Sequence, residues 1–206
     1  MADRWTLLLP VRLTAPKGRL TTWEPAERTS LAVAMVRDVV QVAQSSTQIA
    51  EIVLLGDPPA AAELPELPCV PDAGRGLNAE VAAAAFGRAR VAVLLPDVPA
   101  IAVDQLDRAL EVGSQFSRAF VADAEGVGTT LLMTQSGDAL HPAFGPRSCA
   151  SHASSGAVPV PDEQPGQLAG LRRDVDDEIG LWDAGRLGVG PHTRAVIEPL
   201  LTWNGE

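Results

Sequence analysis

The order of apolar runs and amphipathic segments along the 206 residues predicts an α/β fold: one mostly parallel sheet flanked by helices, with a small antiparallel excursion. Three observations carry this. WTLLLPV, at 5–11, is continuously apolar, as a strand buried on both faces must be. AERTSLAVAMVRDVVQVAQS, directly downstream, has apolar residues at i, i+3 and i+4, the period of a helix laid on a sheet. The alternation then repeats, and strands separated by helices form parallel sheets through right-handed crossovers.

Each further element follows from its own pattern. EIVLLG (51–56) is a second strand, ending at GDPPAA. A Pro-rich passage leads through LPCV to PDAGRGLNAEVAAAAFGRA, whose second half is an Ala-rich helix. VAVLLPDVPAI is another buried strand, ending at Asp97, and VDQLDRALEVGSQ is the succeeding helix. SRAFVADAEGVGTTLLMTQ places a short strand on either side of a Gly-rich connection, the antiparallel excursion. From HPAF to GRLG, turn residues and short helices dominate. No internal repeat and no domain boundary is visible, so residues 1–206 read as one domain.

Composition narrows the function. With 26 acidic against 16 basic residues and a formal net charge of -10, the chain does not suit nucleic acid or an anionic membrane, which reward clustered Lys and Arg. No apolar stretch approaches the roughly 20 residues of a membrane span, and MADRWTLLLP runs straight into a strand without a basic leader, which predicts a cytoplasmic protein. Cys69 and Cys149 lack CxxC spacing and the three histidines are scattered, so the thiols read as ordinary free cysteines and no zinc pattern is present.

Parallel sheets bind ligands beyond the carboxyl ends of their strands, which directs attention to the loops after Leu9, Leu55 and Leu95. PVRLTAPKGRL holds Arg12, Lys17 and Arg19 between a strand and a helix, a basic loop that is either solvated or a cradle for polyphosphate. It matches neither GxxxxGK[ST] nor GxGxxG. Lys17 is the only lysine in the sequence. In PDAGRGLNAEV, Gly74 and Gly76 permit tight turns, and Asn78 either caps the helix or offers a donor and an acceptor to a purine edge. Asp97, after an apolar strand, is either a turn cap or an oxygen ligand for Mg²⁺. In RRDVDDEIG, Asp174 and Asp176 face the same way if the segment is extended and then complete such a site; otherwise they mark an acidic helix entry. Gly126 and Gly128, with Thr129, Thr130, Arg147 and Ser148, read as a second anion site or as a plain Gly-rich hairpin.

In sequence order, PVRLTAPKGRL, PAERTSLAVAMVRDV, GRGLNAE, LLPDVPA, ADAEGVGTT, AFGPRSCASHASSGAV and GLRRDVD resemble the 2-phospho-L-lactate or phosphoenolpyruvate guanylyltransferases of coenzyme F420 biosynthesis, from about Leu7 to Leu187. The resemblance implies a single-domain, nucleotidyltransferase-like (Rossmann-like) fold and an enzyme that transfers GMP from GTP to a small phosphorylated acid, releasing pyrophosphate. It implies Mg²⁺ as cofactor, held by Asp97, Asp174 and Asp176. Thr130, Gly145 and Ser148 would bind the acceptor, phosphoenolpyruvate or 2-phospho-L-lactate. Lys17 and Asp97 would be catalytic; Arg12, Lys17 and Arg19 would meet the GTP phosphates, and Gly76 and Asn78 the guanine side. The Ala-, Arg- and Pro-rich composition favours phosphoenolpyruvate. An unstable diphospho product would make handover to the next enzyme of that synthesis useful. The first loop departs from the family pattern, with Arg12 and Gly18 standing for a lysine and a serine. The alternatives are a related transferase with another nucleotide or acceptor, and a nucleotide-binding module without turnover.

Overall fold

The computed structural model of the chain describes residues 4–14 and 17–201. Seven strands join one sheet: β1 (Trp5–Val11), β2 (Ile49–Gly56), β3 (Cys69–Pro71), β4 (Val91–Leu94), β5 (Arg118–Ala122), β6 (Thr129–Thr134) and β7 (Val158–Pro159). Their order is β3-β2-β1-β4-β6-β5-β7. All pairings are parallel except those of β6 with β4 and β5, so the predicted excursion is one reversed strand inside the sheet.

Among the described residues, eight α-helices accompany the strands: α1 (Pro25–Ser45), α2 (Pro58–Glu63), α3 (Leu77–Ala85), α4 (Val103–Gly113), α5 (Ser148–Ser154), α6 (Ala169–Arg172), α7 (Glu178–Leu187) and α8 (Pro191–Leu201). None is long and apolar enough to cross a membrane. The unbroken apolar character of β1 follows from burial on both faces. Leu7 and Leu9 pack with α1 and α4 residues such as Val39 and Leu110, while Leu8 meets Val81 of α3 and Phe144 on the other side. The start of α1 is fixed by a reciprocal capping box between Glu24 and Glu27, with Pro25 in the first turn, where a missing N–H costs nothing.

Several elements differ from expectation. β4 ends at Leu94, so Asp97 sits three residues beyond the strand rather than at its tip. α2 was hidden by its prolines, although Asp57-Pro58 is a strong helix start: the Asp57 carboxylate accepts from Ala60 N, and Pro occupies the next position. α8 lies past the last predicted segment. The buried carboxylate of Asp38, on α1, accepts from His192 N (2.9 Å) and Thr193 N (2.8 Å) and satisfies the first turn of α8. A third apolar cluster of Leu20, Met35, Val175, Leu181 and Ile197 binds α7 and α8 to α1.

The chain leaves β1 for β2 and β3 on one side, then crosses to β4 on the other. The carboxyl ends of β1 and β4 therefore flank the topological switch point, where an open α/β sheet leaves a crevice.

Candidate active site

A cavity of about 410 Å³ opens at that switch point, with Met35, Val36 and Leu13 on its apolar side and Arg12, Lys17, Arg19, Asp97 and Asp176 on its polar side. Distant segments meet here through specific bonds. Val175 N donates to Asp97 O (2.8 Å), which draws the 174–176 segment against the loop after β4. Lys17 Nζ donates to Asp97 Oδ2 (2.7 Å) and Val175 O (2.6 Å), and lies 3.9 Å from Asp176 Oδ1. Arg19 donates to Asp176 Oδ2 at 2.9 Å. Val175 is buried between half-buried Asp174 and exposed Asp176; the Asp176 carboxylate meets Lys17 and Arg19, and that of Asp174 meets Asp123 and Glu125.

The first loop is anchored from below. Buried Asp57 accepts from Leu13 N (3.0 Å) and Thr14 N (2.7 Å) while capping α2. Burial opposes its charge, yet hydrogen bonds from the Thr14 side chain and from the backbone of Thr14, Leu13 and Ala60 hold its carboxyl below the usual range.

The charge in the crevice is unbalanced. Burial first, then the charges of Asp97, Asp176 and Asp123, lift the Asp174 carboxyl to about 7. Asp97 Oδ1 is buried with no hydrogen-bond partner among the described residues. Asp123, Glu125 and Asp174 each bring a carboxylate oxygen to one spot, all within 4.8 Å of one another. Glu125 also pairs with Arg173 (2.6 Å) and Asp123 accepts from the following turn, and the lone pairs left on these hard oxygen donors fit a divalent cation, which would offset their mutual repulsion. Asp123 and Glu125 belong to this set though neither was a predicted ligand.

On the far side of the sheet's rim, Thr130 is buried on β6 with Oγ1 lacking a partner among the described residues. Its carbonyl accepts from Leu95 N (2.9 Å), joining β6 to the Asp97 loop. Ser148, buried, opens α5 and donates its N–H to Gly145 O (3.1 Å). Cys149 N donates to Val127 O (3.1 Å), so the 143–148 loop leans on the turn before β6. Thr130, Gly145 and Ser148 thus stand on two adjoining segments of one rim.

That rim is built from internal hydrogen bonds. His152 is fully buried; Ala143 N donates to its Nε2 (2.9 Å), so Nδ1 carries the proton and donates to Thr129 Oγ1 (2.9 Å). Burial, then the nearby charge of Arg118, pushes this imidazole down to about 4, keeping it neutral. Asn78 is similarly committed: Nδ2 donates to Phe144 O (2.9 Å) and Oδ1 accepts from Phe144 N (2.8 Å). Gly76, at φ 89°, is the residue that caps α3, and Asn78 sits inside the helix.

The Gly126–Gly128 turn is not an open anion cradle. Asp123 fills it from within, its carboxylate accepting from Val127 N (2.8 Å) and Gly128 N (2.6 Å) and its carbonyl from Gly126 N. A side chain at position 128 would start 2.4 Å from Asp123 Oδ2, so glycine is required by this close approach. Arg147 is exposed, with left-handed backbone at φ 60°. Arg12, also exposed, pairs with Asp72 on the other flank of the crevice.

Solved structures with this architecture include a nucleotidyl transferase from Methanothermobacter, with a TM-score of 0.61 and 15% identity over 90% of this chain and 98% of that one. Another is 4-diphosphocytidyl-2C-methyl-D-erythritol synthase, with a TM-score of 0.61 and 10% identity over 91% and 99%. The architecture is thus the nucleotidyltransferase-like fold.

The sequence narrows this further. The model of the family described as "Guanylyl transferase CofC like" matches residues 5–156, and the chain belongs to that family. Proteins named phosphoenolpyruvate guanylyltransferase are similar over nearly its whole length. The one from Thermomonospora curvata is 42% identical, covering 93% of this chain and 88% of its own; that from Streptomyces coelicolor is 40% identical, covering 96% and 98%.

Proposed function

We propose that the protein transfers GMP from GTP to the phosphate of phosphoenolpyruvate, releasing pyrophosphate, as a step in coenzyme F420 biosynthesis in the cytoplasm. The observation that carries this reading is the meeting of Lys17 with Asp97 and the 174–176 segment at the switch point, in a family of guanylyl transferases. The names of the relatives support phosphoenolpyruvate over 2-phospho-L-lactate.

The acceptor's phosphate oxygen is already a nucleophile and needs no general base. It forms a new bond to the α-phosphorus of GTP as the bond to the bridging β-phosphate oxygen breaks, and that oxygen leaves with pyrophosphate. The obstacle is bringing two polyanions together. Asp97, Asp174 and Asp176 would hold Mg²⁺, with Asp123 and Glu125 beside them. Bound there, the ion neutralises phosphate charge and orients the in-line displacement. Lys17 would stabilise the departing pyrophosphate, and Arg12 and Arg19 would meet the outer phosphates. Thr130 Oγ1 and the Gly145–Ser148 loop would take the acceptor's phosphate and carboxylate. His152 and Asn78 position that loop without touching substrate.

The test is pyrophosphate release by the purified chain with GTP and Mg²⁺, comparing phosphoenolpyruvate, 2-phospho-L-lactate and 3-phosphoglycerate, with ATP as nucleotide control. Release with GTP and phosphoenolpyruvate is expected; silence with every acceptor from protein that still binds GTP defeats the reading. Handover of the diphospho product to the next enzyme is a natural extension, read as faster product consumption when both enzymes are present.

A further inference from the structure

Beside the charged crevice lies a second hollow of about 260 Å³, sharing Val11, Arg12 and Leu95 with it. Its character is different. Leu55, Val70, Leu77 and Leu95 wall it, and the carboxylates of Asp72 and Glu80 stand at it. An apolar slot contiguous with a phosphate-sized, basic crevice, edged by acid, has the chemistry of a nucleobase site: ring faces against aliphatic walls and one polar edge read by hydrogen bonds.

The two acids are not equivalent. Glu80 is saturated, accepting from Ala73 N (3.1 Å), Arg75 N (3.1 Å) and the Arg75 guanidinium (3.2 and 2.8 Å), so it shapes the 73–76 turn. Asp72 is held in place by its own N–H to Gly56 O (2.9 Å) and by Oδ1 accepting from Gly74 N (2.8 Å). Its Oδ2 is occupied only by Arg12, whose side chain is 61% exposed and also borders the phosphate crevice.

Resting on the guanylyl-transfer reading, we propose that Asp72 is the residue that selects guanine. A triphosphate in the crevice draws Arg12 toward it and leaves Asp72 Oδ2 open to the slot. Guanine presents N1–H and the N2 amino group side by side, two donors that one carboxylate accepts in parallel. Adenine presents a lone pair at N1, which a carboxylate repels, and its amino group lies on the other side. Discrimination arises because the wrong base sets a lone pair against the carboxylate and offers it no pair of donors. This moves the base-reading role away from Asn78, whose amide is bound to Phe144.

The experiment compares GTP, ITP and ATP, with one acceptor and Mg²⁺, in the wild-type chain, Asp72→Asn and Arg12→Ala. ITP keeps N1–H and lacks the N2 amino group. In the wild type kcat/KM falls in the order GTP, ITP, ATP. Asp72→Asn lowers GTP use on the order of tenfold to a hundredfold and collapses the GTP-to-ITP ratio toward one. Arg12→Ala lowers all three alike and keeps the wild-type ratios. The proposal is overturned if Asp72→Asn preserves the wild-type ratios, including by a uniform loss, or if Arg12→Ala alters them. Should the wild type turn over no nucleotide with any acceptor, guanylyl transfer fails by itself. Calorimetric binding of the same three nucleotides to the same three proteins then reads the slot independently, by the same ratios.

Discussion

The two sides of the crevice solve opposite problems. On the metal side, Asp97 and Asp176 flank Lys17, Asp174 beside them is pushed up to about 7, and Asp97 Oδ1 has no partner among the described residues. On the acceptor side, His152 and Asn78 each make two hydrogen bonds inside the protein, and the loop is held before any ligand arrives. The difference teaches what each substrate must supply. On the proposed reading, polyphosphate and cation would complete the first side, whose acids outweigh the bases paired with them, and the second would be a preorganised mould that adds hydrogen bonds without reorganising.

The most severe break in this contrast is Asp97→Asn. Removing this carboxylate from the electrostatic side should cost on the order of a thousandfold in turnover, while the chain still folds, with a melting temperature level or somewhat lower because Lys17 loses its nearest charged partner. Pyrophosphate release and a thermal melt read both; unchanged activity would remove Asp97 from the cation site. On the mould side, Ser148→Ala should raise the acceptor KM about tenfold with the GTP KM nearly unmoved, and an effect confined to GTP would contradict the division. His152→Leu should act more gently on the same parameter and lose about 2 kcal/mol of stability by orphaning Ala143 N and Thr129 Oγ1. His152→Gln, which keeps a donor and an acceptor, should recover part of both.

The smallest effect sharpens the comparison through pH. The Asp174 carboxyl lies at about 7 in the folded chain against its ordinary 3.8, so between those values the metal-free folded state binds a proton that the unfolded state does not. Stability therefore falls as pH rises through that window. His152 has the opposite sign: at about 4 against 6.5, it favours the folded state above the window and withdraws that support as pH falls from 6.5 toward 4. Without metal, Asp174→Asn should gain a few degrees over the wild type between pH 5 and pH 8, and saturating Mg²⁺ should close the gap. A difference that ignores both pH and Mg²⁺ would mean that Asp174 is not part of the repulsive cluster.

What could be read in the sequence follows the same divide. β1, α1, β2 and α4 are long and strongly patterned, and β5 and β6 were legible as strands around a glycine-rich turn. α2 and α8 were missed because helices beginning at proline depend on a carboxylate for their start, and for α8 that carboxylate is Asp38, far away in sequence. Asp97, Asp174 and Lys17 stood out because charge beside an apolar strand or in a short acidic run is locally conspicuous. The partnership of Asn78 with Phe144 and the filling of the glycine turn by Asp123 were not legible, since each is decided by what packs opposite. The approach of Asp123 and Glu125 to Asp174 likewise depends on how three separate loops meet at one rim.

Lys17 has a further meaning as the sole lysine among 206 residues. Its ε-amine is the only side-chain target for acylating or reductively methylating reagents, and it sits 13% exposed, clasped by Asp97 and Val175. An isotopic tag placed there by chemistry, with no mutation, would give one side-chain resonance from the centre of the crevice, distinct from that of the chain's α-amine and moving as cation, nucleotide and acceptor arrive in turn.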